Sequence, residues 1–324
     1  MKPHPQLLLL GALVVIGVVS AFSAHYNPYF LDVAVTCGIN VTLAVSLNLI
    51  NGYTGQFSLG HAGFMGVGAY AAAVLTTMAG PALLGVLGGQ EWLLFLVALL
   101  GGGLAAALAG LVVGVPSLRL RGDYLAIVTL GFGEIIRVVL QNIDAIGGPR
   151  GMIGIPAYAN LAWAFGLAAL CVYVVWAMVH STYGRGFLAV ADDEIAAEAM
   201  GINTTRYKIT AFVVGAFFAG IAGGLFAHVI QAIEPTGFNF LKSIEIVVMV
   251  ILGGMGNTPG VIIAAILLTL LPYGLQDISE MSPSLTWVKD TRMIIYSLLL
   301  IIIMLARPQG LFTFRKGVKV GGGH

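Results

Sequence analysis

Lipid offers no hydrogen-bond partners to the peptide backbone, so a chain rich in long apolar runs has only helices or a closed barrel available to it. A barrel strand crosses the bilayer in roughly 9–11 residues and a helix in about 20. The runs in this sequence have the helical length. They fall near 7–24, 31–50, 58–78, 92–113, 124–140, 160–180, 207–231, 244–256, 259–276 and 291–306, the eighth being short. The expected fold is all-α: a polytopic membrane protein with about ten transmembrane helices.

Composition narrows the function. Of 324 residues 59% are apolar and 9% charged, against roughly 25% charged in a typical soluble domain. That leaves too little charge to solvate a globular surface or to neutralise phosphates, which excludes an ordinary soluble enzyme, a disordered chain and a nucleic-acid binder. Lys2 before the first run and Ala21-Phe22-Ser23 after it have the outline of a secretion signal. The many later runs favour an uncleaved first helix. Cys37 and Cys171 lie inside apolar runs and read as small core residues.

Cations mark the cytoplasmic side of a membrane protein. With ten spans both termini share a side. If that side is the cytoplasm it receives Lys2, Arg119, Arg121, Arg185, Arg206, Lys208, Arg307, Arg315, Lys316 and Lys319, ten of the fifteen cations. The opposite side receives Asp32, Glu91, Asp144, Glu234, Asp277, Glu280 and Asp290. No linker or second domain interrupts the runs, and the final Gly-Gly-Gly-His reads as a flexible tail.

Three segments depart from plain lipid-facing helix. From Asn51 to Tyr70 glycines stand at 52, 55, 60, 63, 66 and 68, while Asn48, Asn51, Gln56, Ser58 and His61 bring polar groups to membrane depth or its edge. Two readings fit: a broken helix lining a translocation path, or tight helix packing with a cytoplasmic turn. A second break, Gly253-Gly254-Met255-Gly256-Asn257-Thr258-Pro259-Gly260, has a similar composition. It reads as a tight turn or as the counterpart of the first break in an internal repeat.

The third segment, 181–208, carries seven of the chain's 29 charged residues. Leu188, Ala191, Ile195, Ala199 and Ile202 form an apolar stripe at helical spacing. Asp192, Asp193 and Glu194 sit in the acidic part, Gly201 is placed to end the helix, and Asn203 or Thr204 to cap the next. Helices that lie on lipid headgroups favour Lys and Arg on the polar face. Asp192, Asp193, Glu194 and Glu198 would be repelled by anionic lipid. A short amphipathic helix of this kind on the cytoplasmic side is expected to dock on another protein.

On these residues the sequence resembles the LivM-type permease subunits of branched-chain amino acid ABC importers. The resemblance rests on Gly52-Tyr53-Thr54-Gly55-Gln56 with Leu59-Gly60-His61-Ala62-Gly63-Phe64, on Ala191-Asp192-Asp193-Glu194-Ile195-Ala196-Ala197-Glu198-Ala199-Met200-Gly201-Ile202-Asn203, and on Arg307-Pro308-Gln309-Gly310-Leu311-Phe312. It implies one permease domain over 1–324 with a cytoplasmic coupling helix within 181–208. Asp193, Glu194, Ala197, Glu198, Ala199 and Gly201 would dock on an ATP-binding subunit. Ile195 interrupts the wider Glu-Ala-Ala pattern and the downstream Leu-Pro is absent.

The resemblance also implies the partners: two ATP-binding subunits, a LivH-like second permease, a periplasmic binding protein, and leucine, isoleucine or valine as substrate. No cofactor belongs to this chain; ATP and Mg would sit on the partner subunits, in keeping with the lack of any Gly-Lys pair from which a phosphate-binding loop could be built. No catalytic or metal residue is expected. Asn48, Gln56, Ser58, His61 and Thr129 are the candidate path residues, because a zwitterion with an aliphatic side chain can pass polar, uncharged groups. Glu134 and Arg137, three apart in the fifth run, read as a self-neutralising structural pair, His228 as packing or interfacial, and Trp92, Trp163 and Trp287 as interface anchors. Gly147–Gly151 reads as an outer turn. The competing classes are a urea or short-amide permease of the same family, an ion-coupled secondary transporter, an intramembrane hydrolase and a passive channel. Only Glu134 is a carboxylate well inside a run, and no His-Glu-x-x-His is present.

Overall fold

The computed structural model describes residues 28–117 and 123–281, together with the isolated positions 9, 17 and 298. The expected first and tenth spans, Trp287 and the 307–312 motif lie outside the described residues. Eleven helices follow in order: α1 Pro28–Asn48, α2 His61–Thr77, α3 Gly80–Val86, α4 Glu91–Ser117, α5 Asp123–Gln141, α6 Leu161–His180, α7 Gly184–Asp192, α8 Glu194–Ala199, α9 Thr204–Ile230, α10 Phe240–Gly253 and α11 Thr258–Met281. A π-helical turn, Leu49–Tyr53, extends α1. Two short strands, β1 Met152–Ile153 and β2 Ala232–Ile233, pair antiparallel and tie the loop after α5 to the end of α9.

Among the described residues, five helices are long and apolar enough to cross a membrane, or six if the pair α2–α3, bent by 65°, is one span. Of the ten spans expected, the first and tenth lie outside the described residues. The eighth run forms α10, only 14 residues, about 21 Å at 1.5 Å per residue. The apolar part of α11, Thr258–Gly274, is also short. The run expected at 58–78 becomes helical only at His61.

Asparagine caps recur at the helix starts. Asn160, Asn203 and Asn239 accept from the backbone N–H of Trp163, Arg206 and Lys242, satisfying donors that a first turn leaves open. α1 and α9 are the most enclosed spans, with 89% and 67% of their apolar windows buried. α9 crosses α2 and α4, and glycine makes the crossings close. A Cβ on Gly68 would collide with the backbone of Gly220, and one on Gly223 with the carbonyl of Met65. In lipid, where apolar attraction between helices vanishes, such close backbone approach supplies the packing energy. Polar bridges add to it: Asn40 Nδ2 donates to Thr269 Oγ1 between α1 and α11 at 2.9 Å, and His228 Nε2 meets Thr76 Oγ1 between α9 and α2 at 2.9 Å. His228 is thus a packing residue. Cys37 and Cys171 are buried free thiols. Trp92 is exposed, while Trp163 stands edge-on to Phe95 with centroids 5.2 Å apart.

Gly68→Val is expected to destabilise the bundle by about 1–3 kcal/mol through overpacking, read as a lower Tm in detergent. Gly166→Ala, whose Cβ would meet nothing within 4 Å, should leave Tm unchanged or slightly raised.

Candidate functional site

Between α1 and α2 the backbone leaves the helix. Its donors are satisfied from three directions. Gln56 N donates to Ile50 O at 3.2 Å. Ser58 N donates to Asn51 Oδ1 at 3.1 Å, and Asn51 Nδ2 returns a bond to Ser58 O at 3.4 Å. Leu59 N donates to Thr129 Oγ1 of α5 at 3.1 Å, and Ala62 N to Ser243 Oγ of α10 at 3.2 Å. Non-helical backbone at this depth persists only because protein encloses and satisfies it. The π-turn that leads into it is a deformation often found at functional sites.

Asn48, Gln56, Ser58, His61 and Thr129 are all buried here. Most are engaged within the chain. Asn48 Oδ1 accepts from Gly256 N at 2.9 Å, and Gln56 Nε2 donates to Thr54 Oγ1 at 2.9 Å. Ser46 Oγ donates to Leu43 O and lies 2.9 Å from His61 Nε2, while His61 Nδ1 meets no partner. Four buried polar atoms are unpartnered: Asn48 Nδ2, Gln56 Oε1, Ser58 Oγ and His61 Nδ1. Each costs about 1–3 kcal/mol when left dry.

The second glycine break lies directly against the first. Besides the Asn48–Gly256 bond, Tyr53 Oη meets Thr258 Oγ1 at 2.8 Å, and a Cβ on Gly52 would collide with Gly256 N. The two interruptions that the sequence sets about 200 residues apart form one contact.

The segment 181–208 differs from expectation. The single helix is two, α7 and α8, because Asp193 is extended (φ −158°, ψ 110°) and accepts from Ile195 N and Ala196 N as the cap of α8. Gly201 ends α8 at φ +84°. The apolar stripe is not covered by the chain: Leu188, Ala191, Ile195 and Ala199 are exposed, Ile195 at 67%, beside Met200 at 83%. Of the expected docking residues, Ala197 is buried, Glu194 pairs with the buried Lys208 of α9, and the Glu198 carboxylate accepts from Thr204 Oγ1 at 2.8 Å. These hold α8 to α9. Ala199 and Gly201 remain on the outer surface. Tyr183, Phe187 and Tyr207 stack into a cluster with centroids 4.4–5.7 Å apart that fixes α7. α7 in turn reaches the helix break: a Cβ on Gly55 would stand 3.1 Å from Ala191 Cα.

The sequence matches the family pattern described as "Branched-chain amino acid transport system / permease component" over residues 29–304. The chain belongs to this family. Among curated relatives, the proteins named high-affinity branched-chain amino acid transport system permease protein LivM in Salmonella typhimurium and in Escherichia coli are each 35% identical over 346 aligned residues, covering 96% of this chain and 76% of theirs. The Salmonella typhimurium permease protein LivH is 24% identical over 306 residues, covering 87% of this chain and 95% of that one.

For this multi-pass permease chain, the sequence pointed to the polar residues of the first break but missed Ser243 and Ala191, which meet it from distant elements. Ser243 is an isolated serine in an apolar run, and nothing local distinguishes it. Gly55, at φ +66°, was the available signal for a close approach. Among the described residues no group of three or more His, Cys, Asp and Glu could hold a metal.

Asn51→Ala removes both bonds to Ser58, and the Ser58 amide should exchange hydrogen on the order of tenfold or more faster, one lost hydrogen bond being worth about 1.4 kcal/mol or more when buried. Amide exchange by mass spectrometry reads this; exchange at Gly68 serves as the unchanged reference.

Proposed function

We propose that the chain is the LivM-like permease half of an ATP-driven importer that moves leucine, isoleucine or valine across the inner membrane. A LivH-like chain forms the other half. Two ATP-binding subunits carry ATP and Mg below, and a periplasmic binding protein delivers the amino acid above. Family membership and the relatives' names support the substrate class and the pairing of two permeases. The segregation of Lys and Arg supports termini on the cytoplasmic side, and the family match over residues 29–304 supports a single permease domain.

The observation that carries the mechanism is the contact between Gly55 and Ala191. The coupling segment α7–α8 presents bare apolar side chains outward and holds the helix break inward. Ile195, Ala199, Met200 and Gly201 form the outer docking surface, with Asp193, Glu194, Ala197 and Glu198 shaping it from behind. When the ATP-binding subunits close, the aromatic cluster makes α7 move as a rigid piece, and the displacement reaches residues 54–60. Asn48, Gln56, Ser58, His61 and Thr129 then act as the inner gate. Their bare atoms, two acceptors among them, acquire water or the polar ends of the amino acid as the break opens. This accounts for why they are left unpartnered in the closed arrangement. An ion-coupled transporter would have no use for the bare outward face of α8.

Ala199→Arg and Gly201→Trp should each abolish co-purification of the ATP-binding subunits while the chain still inserts; normal co-purification with both overturns the docking surface. Gly55→Val should leave basal ATP hydrolysis intact and lower leucine uptake about tenfold, since a β-branched residue at positive φ costs roughly 1–3 kcal/mol. The triple Ala variant of Gln56, Ser58 and His61 should lose uptake; unchanged uptake overturns the gate. Urea uptake in place of leucine, isoleucine and valine uptake by the assembled wild-type complex overturns the substrate class.

A further inference from the structure

We propose that the groove between α5 and α10 is this subunit's wall of the translocation path, and that the Glu134–Arg137 pair takes the charged ends of a zwitterionic amino acid there. The proposal rests on the importer reading above and adds a substrate-contacting site to it.

The starting point is a contrast between two spans. α5 and α6 are the least enclosed of the long spans, with 22% and 28% of their windows buried. α6 has no Asp, Glu, Lys or Arg along its length, as a lipid-facing helix should. α5 is equally open yet carries Glu134 and Arg137, exposed at 34% and 24%. Intramembrane ionisable groups face a bundle interior or a water-filled cavity. Arg137 does not extend toward the helix end to reach the headgroups, the usual escape for a cation near a boundary. Its Nε instead reaches back one turn and donates to Glu134 Oε2 at 2.7 Å. Glu134 lies seven residues from the end of α5 at Gln141, about 10 Å inward. The open side of α5 is therefore a wet side.

A groove lies along that side. Leu59, Leu130, Glu134, Phe238, Phe240 and Ser243 line it. It is a shallow surface groove with no room for a ligand of its own, and it becomes a site only with a second wall, which the facing permease of the pair supplies. Beside the groove, Lys242 in the first turn of α10 pairs with Glu245 at 2.9 Å. A cation there opposes the helix dipole, and bundle packing gives no reason for it. The groove also runs into the gate: Leu59 donates its N–H to Thr129, and Ser243 accepts from Ala62 N. Glu134 would hold the ammonium, Arg137 the carboxylate, and Leu130 with the two phenylalanines the side chain.

Two measurements test this on the assembled importer in membrane vesicles. Leu130→Cys and Phe240→Cys should react with a charged methanethiosulfonate reagent about tenfold or more faster than Leu104→Cys, an exposed position (59%) in α4, which carries no charged residue after Glu91. Equal slow reaction at all three positions overturns the groove as a wet path. In the exchanged pair Glu134→Arg with Arg137→Glu, a purely structural ion pair survives and leucine uptake with it. The proposal expects uptake to fall about tenfold or more with normal co-purification of the partner subunits; retained uptake overturns the pair's role. If the exchanged pair fails to assemble, the labelling decides alone. Fast labelling of the two cysteine variants together with a wild-type complex that carries no leucine would instead remove the importer reading and leave the wet groove standing.

Discussion

The structure depends on one constraint: at membrane depth every backbone N–H and C=O must find a partner within the protein. Helices meet it by themselves. The stretch from residue 54 into the first turn of α2 does not, so side chains from three separate elements do it: Asn51 from the π-turn for Ser58 N, Thr129 from α5 for Leu59 N and Ser243 from α10 for Ala62 N. Those three bonds fix where α5 and α10 stand relative to the break, and so set the floor of the groove between them. The same bonds make the break conditional. Whatever moves α5, α10 or the π-turn withdraws the partners on which the irregular backbone relies.

That conditionality joins the two ends of the proposed mechanism. α7 is clamped in a cluster of three aromatic rings and leans on Gly55. The second glycine interruption leans on Asn48 and Gly52 from the other side. A push on α7 acts on a segment held by single hydrogen bonds between two rigid neighbours, rather than on a continuous helix. The four bare polar atoms around it are groups that water would satisfy if the segment opened.

Rigidity elsewhere is supplied by packing without side chains. Where α9 crosses α2 and α4, glycine lets backbones touch, and lipid cannot compete for that contact. The contrast with α5 is instructive. Its glycines at 131 and 133 have open space or ordinary contact around them, and its charged pair is half-exposed. One side of the molecule is thus built as a solid block and the other as a surface awaiting a second wall.

The sequence by itself determined the all-helical class, the positions of several spans, an irregular stretch within Asn51–Tyr70 and the amphipathic, acidic character of 181–208. These follow from local rules: apolar length, glycine content, charge sign and capping residues, each acting within a few turns of chain. The identity of the polar residues at the break was equally legible, since Asn, Gln, Ser and His stand out in an apolar run. What only the tertiary structure decided was which distant groups answer them. Gly256, Thr129, Ser243 and Ala191 meet the break through crossings set by helix packing, and no periodicity encodes a crossing. The same reason explains two departures. The apolar spacing across 188–202 was compatible with one helix, but the geometry that seats α7 against α6 and α9 leaves Asp193 extended and makes two. Glu134 and Arg137 read as self-sufficient in sequence because their spacing is local; that their side of α5 is left open depends on where the other helices stand.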